Sequence, residues 1–322
     1  MDAAVVGSAA VVTAPDSVAG SDLVEVTPGV YAWVQEDGSW WVNNAGAIIG
    51  EDGVILIDTC ATAKRTHAFL SAVERVANGA TVCVAVNTHL HGDHTHGNAL
   101  LPYSAIIVAH QSTRDGILTD TVLIDTPPIW DPMPYWGIDH HRAPTVIPHG
   151  DLTLYTGEHR VQVCHPGFPA HTTGDLVAWL PSEAVLFAGD LLFHGVTPLA
   201  FMGSVDGALR SLDWMAKFPA QHVIPGHGPI VTGEDFESVL AAHDRYYRFI
   251  KDTAQRGRHD DQTPLEAARS CDLGEFAEWG DAERLVLNLH RAYCDAAGTE
   301  FDLLAAFTDT VAFNDGPLHC IA

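Results

Sequence analysis

Basic residues are few and come late. No lysine or arginine precedes Lys64, and the 322-residue chain holds 16 of them against 41 acidic residues, a formal net charge of -25. Such a balance disfavours a nucleic-acid groove or an anionic membrane surface as partner, because both would be repelled. The six cysteines, Cys60, Cys83, Cys164, Cys271, Cys294 and Cys320, form no CxxC pair and no closely spaced framework. A disulfide scaffold is thereby set aside, and thiols scattered through apolar runs suit a reducing cytoplasm. Long uninterrupted apolar runs are missing too. The opening MDAAVVGSAAVVTAPDSVAG carries Asp2 and Asp16 and has no basic flank, so residues 1–22 read as a disordered arm rather than an export signal. The whole chain is 47% hydrophobic, enough to bury one large core.

The extended patterns come first. GVYAWVQE and SWWVNNAGAIIG flank Asp37-Gly38, and DGVILIDT follows a second Asp-Gly, which predicts consecutive antiparallel strands. A helical pattern over about Lys64 to Val76 leads to the apolar strand VCVAVN, and this runs directly into NTHLHGDHTHGN, residues 87–98. Three later segments repeat the placement: RVQVCHPGFPAHTTGD holds His171, AVLFAGD ends at Asp190, and QHVIPGHG ends at His227. If the strands share an orientation, His89, His91, Asp93, His94, His171, Asp190 and His227 meet at one sheet edge, where loops on a rigid scaffold carry chemistry.

Neutral imidazoles and carboxylates are zinc ligands, and seven are too many for one ion. A division assigns His89, His91 and His171 to one Zn2+ and Asp93, His94 and His227 to a second, bridged by Asp190. Two ions about 3.5–4 Å apart can polarise an oxygen and activate a shared water. Gly92 and Gly97 are read as permitting the sharp turns that aim the ligands both ways.

The run His89-Leu-His91-Gly-Asp93-His94 resembles, residue for residue, the HxHxDH signature of the metallo-β-lactamase superfamily, and AHTTGD, FAGD and PGHG match its later motifs in order. The resemblance covers roughly residues 25–235 and implies an α/β fold, the αββα sandwich, with two metals at one edge. It also implies that Asp58, ending ILIDT, orients the metal loop from behind. The catalytic domain is accordingly placed at residues 23–235, with a helical C-terminal extension over 236–322 packed on the same domain, since EDFESVLAAHDRYYRFIKDTAQRG and the segments after it have helical spacing. His96, His110, His140, His141, His149 and His165 match no partner motif and read as surface or supporting residues. His194, four positions after Asp190, is expected to face the substrate.

Substrate-wall residues are expected at Trp40 and Trp41, and at Trp130, Tyr135 and Trp136 in the long LIDTPPIWDPMPYWGIDHHRAPT connection. That connection reads as a lid over a flat apolar ligand, or as a loop whose aromatics form a small core of their own. Across nearly its whole length, notably FAGDLLFHGVTPLAFMGSVDGALRSLDWM and VAFNDGPLHCIA, the chain resembles the second-ring cyclases of aromatic, type II polyketide biosynthesis, the actinorhodin cyclase type. This resemblance implies a zinc-dependent intramolecular aldol closure and dehydration, with Asp93 or Asp190 removing a proton, and thioester hydrolysis as an accompanying activity. A thioesterase or lactonase without cyclase activity is the alternative, and a non-catalytic metal-binding scaffold a third. Arg245, Arg248, Lys251, Arg256 and Arg258 cluster in an acidic chain, which marks a docking surface for an acyl carrier protein that delivers the aromatic polyketide, or an ordinary solvated helix face.

Overall fold

The structure, a computed structural model, describes residues 11–12, 18 and 20–322. Seven strands form the first sheet in sequence order: β1 (Val11–Val12), β2 (Ser21–Thr27), β3 (Val30–Gln35), β4 (Ala45–Gly50), β5 (Gly53–Ile57), β6 (Val82–Val86) and β7 (Ile106–Val108). After the short β8 (Trp130–Asp131), the second sheet uses β9 (Leu152–Thr156), β10 (His159–Cys164), β11 (Val177–Leu180), β12 (Val185–Phe193), β13 (His222–His227) and β14 (Val231–Thr232), ordered β14-β13-β12-β11-β10-β9. Both sheets are mixed: β5, β6 and β7 are mutually parallel, as are β12 and β13.

Alternation along the strands builds the layers, because successive side chains point to opposite faces. In β3, Val30, Ala32 and Val34 face Val161, Val163 and Phe187 of the second sheet, while Trp33 points outward. There it packs with Phe69 and Val73 of α1 (Ala63–Val76). In β12, Phe187 lies between the sheets while Leu186 and Ala188 join the outer core. That outer core is made with α4 (Val205–Met215), α5 (Gly233–His259), α6 (Pro264–Ser270) and α7 (Arg284–Ala297). The fold is the αββα sandwich. Of two further helices, α2 (Gly92–Thr95) lies between β6 and β7 and α3 (Gln111–Thr119) follows β7, and α8 (Leu303–Phe313) precedes β15 (Leu318–His319). The chain end folds back, for β15 pairs with β8, and the buried Arg65 donates from Nη2 to the Ile321 carbonyl at 2.7 Å.

Three local expectations need correction. Most of the arm expected over 1–22 lies outside the described residues, but its described part belongs to the body. Val11 and Val12 pair with Val24 and Leu23, Val18 is buried beside Leu23, and Ser21 and Asp22 begin β2. Ladder pairing and apolar burial fix these residues. Trp40 to Asn44 do not extend β4, because Asn44 replaces ladder bonds with side-chain ones: Oδ1 accepts from Gln35 N–H, and Nδ2 donates to the carbonyls of Pro225 and Gly228. Asp190 does not end its strand. β12 continues to Phe193 through a register irregularity between Phe187 and Phe193, and this break aims the carboxylate.

Candidate metal centre

β10 and β12 both run antiparallel to β11, and β13 runs parallel to β12. The ends of β10, β12 and β13 therefore open toward one edge, where the loop after β6 also arrives. The structure brings all seven expected residues together there in two groups, His89, His91, His171 and Asp190, and Asp93, His94 and His227, the ligand atoms of each group lying within 4.8 Å of one another.

His91 Nδ1 is 3.0 Å from His89 Nε2 and 2.9 Å from His171 Nε2. Asp190 Oδ2 stands 3.8 Å from His89 Nε2, 3.4 Å from His171 Nε2 and 3.4 Å from His227 Nε2. Its other oxygen is 3.1 Å from His94 Nε2, and Asp93 Oδ2 is 3.1 Å from His227 Nε2. Two donors each about 2.1 Å from a tetrahedral ion are about 3.4 Å apart, so these spacings suit common centres. Asp190 touches both groups.

The outward ring nitrogens decide the tautomers. His94 Nδ1 lies 2.8 Å from Asp58 Oδ2, His171 Nδ1 2.8 Å from the Leu199 carbonyl, and His227 Nδ1 3.0 Å from the Gly38 carbonyl. Thr88 donates its hydroxyl proton to Asp58 at 2.7 Å, so its oxygen can only accept from His89 Nδ1 at 3.0 Å. When neutral, each of these four rings thus presents a lone pair at Nε2 to the centre, an arrangement that orients metal-binding imidazoles. His94 Nε2 and Asp190 Oδ1 are buried without a hydrogen-bond partner. Converging lone pairs and carboxylates need a cation between them, and the residues fit one in each group.

Charge agrees. Burial, then His171, pulls the His91 imidazole down to about 3, which keeps it neutral. Burial also opposes protonation of His94 and His227, but Asp190 above all overcomes it, lifting His94 well above its ordinary value and His227 to about 9. The second group draws positive charge to itself.

Asp58 adopts φ 61 directly after β5, a left-handed turn uncommon for a side-chain-bearing residue. The turn brings its carboxylate under the metal loop, where it also accepts the Thr88 N–H at 2.7 Å. Gly92 and Gly97 are not turn glycines, since neither has positive φ. They are needed for close approach: a Cβ on Gly92 would lie 2.1 Å from the His96 ring, and one on Gly97 2.4 Å from Thr66 Oγ1.

The other expected site residues fare differently. His194 is outside both groups, its Nδ1 held by the Pro229 carbonyl at 3.1 Å. Trp40 and Trp130 are core residues, 7% and 6% exposed and edge-on at 5.4 Å, because Trp40 is anchored by Glu283 and Arg284 and Trp130 by the β8–β15 pair. Trp41 and the buried Trp136 flank His96, and Tyr135 is 86% exposed. Sequence reasoning missed the rings that lie against the ligands. Phe201 stacks on His91 at 5.4 Å, Phe193 on His227 at 5.4 Å, and Met202 Sδ is 3.2 Å from His91 Nε2. Phe301 and Phe307 pack behind Phe201. No spacing in the sequence links these positions.

Comparison with known proteins adds identity to the geometry. The bovine (Bos taurus) acyl-coenzyme A thioesterase MBLAC2 is 23% identical over 222 residues, 59% of this chain and 78% of its own length. The hydroxyacylglutathione hydrolase of Shewanella baltica (strain OS223) is 27% identical over 236 residues, 72% of this chain and 81% of its own. Among solved structures, a metallo-beta-lactamase from Pontibacter korlensis superposes with TM-score 0.57 at 19% identity, covering 71% of this chain and 99% of that one. The stereoselective inverting sec-alkylsulfatase Pisa1 from Pseudomonas sp. superposes with TM-score 0.65 at 17% identity, over 88% of this chain but 51% of that one. At such identities these two structures speak for the fold alone. The family profile described as Metallo-beta-lactamase superfamily matches residues 38–227, more than half the chain and the whole span that carries the seven converging ligands, and the chain belongs to that superfamily.

Proposed function

We propose that the chain is a two-zinc hydrolase of acyl thioesters with a bulky, apolar acyl group. The observation that carries this reading is the seven-residue His/Asp centre with an aromatic wall against it. Relatives named as a thioesterase and a hydroxyacylglutathione hydrolase support the hydrolytic chemistry over ring closure. His89, His91, His171 and Asp190 would hold one ion and Asp93, His94, His227 and Asp190 the other, which when bound supply polarisation of a carbonyl oxygen and acidification of water.

The protein's own groups do the rest. Asp190, reaching both groups, fixes their separation. Thr88, Asp58 and the carbonyls of Leu199 and Gly38 hold the imidazoles in the tautomers that face inward. Phe193 and Phe201 exclude water from one side, and half-buried His91 and Met202 leave the approach open to an apolar acyl chain. Hydrolysis breaks the carbon–sulfur bond and forms a carbon–oxygen bond; Asp93 is the carboxylate placed to take the proton that the departing thiol finally receives.

Zinc-loaded protein assayed on aliphatic and aromatic acyl thioesters, with free thiol as readout, should show turnover that chelator abolishes. Retained zinc with no cleavage of any thioester removes the reading. Second-ring closure of an aromatic polyketide stands as a second reading, favoured by the aromatic cluster behind the ligands. A changed carbon skeleton in the product, with no acid released, would put it first. An acyl carrier protein as partner belongs to this reading, but three of the five basic residues named for its docking already face carboxylates of this chain. Arg245 is paired with Glu275, Arg248 with Asp244 and Lys251 with Asp206.

A further inference from the structure

Outside the two groups, the metal loop and the long connection meet at a third set of donors. His96 follows α2, Asp120 follows α3, and His141 lies between β8 and β9; their ligand atoms are all within 4.8 Å of one another. Asp120 Oδ2 is 3.5 Å from His96 Nε2 and 3.8 Å from His141 Nε2.

The remaining polar atoms of His96 and Asp120 are engaged elsewhere. Asp120 Oδ1 accepts the Val122 N–H at 2.8 Å, which leaves Oδ2 free. His96 Nδ1 is 3.2 Å from the Ala61 carbonyl, so it must donate, and the neutral ring then carries its lone pair on Nε2. That Nε2, like His141 Nε2, is buried without a hydrogen-bond partner. His96 is wholly buried, stacked on Trp41 at 5.8 Å and edge-on to Trp136 at 5.2 Å, so solvent cannot satisfy it. His96 Nε2 and Asp120 Oδ2 are both acceptors, and facing one another beside the unpartnered His141 Nε2 in an indole-lined recess they call for a positive charge between them.

We propose that His96, Asp120 and His141 bind a third divalent ion, zinc by their mixed nitrogen and oxygen donors, which clips the connection carrying Trp130 and Trp136 to the metal loop. Two imidazoles and one carboxylate, with no thiolate, form a three-ligand set that leaves a position for water. The site is separate from the hydrolytic centre and needs neither of its groups, so it stands whether or not the thioesterase reading does. The competing arrangement is a pair of protonated imidazoles on Asp120, which would need no metal.

The test is zinc content per chain. Protein stripped by chelator, reloaded with excess Zn2+ and freed of loose metal by gel filtration is compared with Asp120→Asn and His141→Ala. Each variant should hold one equivalent fewer than wild type, and Asp190→Ala should leave that difference intact. Equal content in wild type and both variants overturns the proposal. Anomalous scattering at the zinc edge from crystals of the wild-type protein needs no variant: a peak between His96, Asp120 and His141 supports the site, and none there removes it.

Discussion

The two sides of the active edge are held by different means. On the metal side, His89, His94, His171 and His227 are each fixed by a hydrogen bond behind the ring, from groups on strands or their adjoining loops. On the apolar side, Phe193, Phe201, Trp40 and Trp130 are fixed by packing against Leu287, Ala306, Leu318 and Cys320, from the end of the chain. Hydrogen bonds set an orientation, whereas packing sets a shape. The difference teaches that the converging His/Asp centre sits on a scaffold of paired strands, whereas the apolar side depends on helices that return from far along the sequence.

The largest expected effect breaks the metal side alone. Asp190→Ala removes the one carboxylate common to both groups, and should lower kcat/KM by on the order of a thousandfold or more, with metal lost from both. Elemental analysis beside the kinetics checks it, and full activity with unchanged metal would dissolve the contrast.

Next comes a group behind the apolar side. His243 accepts the Phe193 N–H at Nε2 and donates from Nδ1 to the Val239 carbonyl, and burial pushes its imidazole down from 6.5 to about 4. The folded protein keeps it neutral while the unfolded chain takes up a proton below 6.5. Its stability contribution is therefore present above that pH and lost as pH falls toward 4, a loss of roughly 3 kcal/mol. Urea unfolding from pH 7 to pH 4 should show a shallower decline in His243→Gln than in wild type.

Asp58→Ala should weaken metal binding about 10–100-fold while leaving the apolar side intact, because it frees the Thr88 and His94 supports together. Competition with a chelator of known affinity measures it. Phe201→Leu or Phe201→Ala should do the converse, raising KM for a bulky aromatic thioester about tenfold with acetyl-thioester turnover and zinc content unchanged. A loss of zinc in these variants would join the two sides after all.

The smallest effect is expected at the basic helix face. Arg245→Glu and Arg248→Glu should leave KM equal for free and carrier-bound thioesters, since both arginines already answer intrachain carboxylates. A rise confined to the carrier-bound substrate would restore docking there.

The metal side was legible because its signal is local. HxHxDH and His171 each follow an apolar strand, Asp190 lies within one and His227 closes one, and strand direction in a sandwich brings such positions together whatever the intervening lengths. Asp58 was legible on resemblance only, and the supports from Leu199 and Gly38 are backbone carbonyls, which no residue identity records. The apolar side was half-read. Aromatic side chains in a long proline-rich loop announced a cluster, but Trp40 and Trp130 proved to be its buried core, and His194 turned to Pro229. His96 and His141 looked like ordinary supporting histidines because their shared carboxylate, Asp120, lies 24 positions from one and 21 from the other.

By itself, then, the sequence determined the two-layer fold class, the seven histidine and aspartate residues that converge at one edge and the presence of a helical C-terminal region, since alternation, strand-end placement and helical spacing are properties of neighbours along the chain. Only the tertiary structure decided which oxygen of Asp190 faces which ring, which aromatics meet the ligands, and that the chain end closes on β8. Those outcomes depend on contacts between residues up to about 250 positions apart, such as Arg65 with Ile321 and Trp40 with Glu283, and their partners are chosen by shape and by unsatisfied donors rather than by spacing.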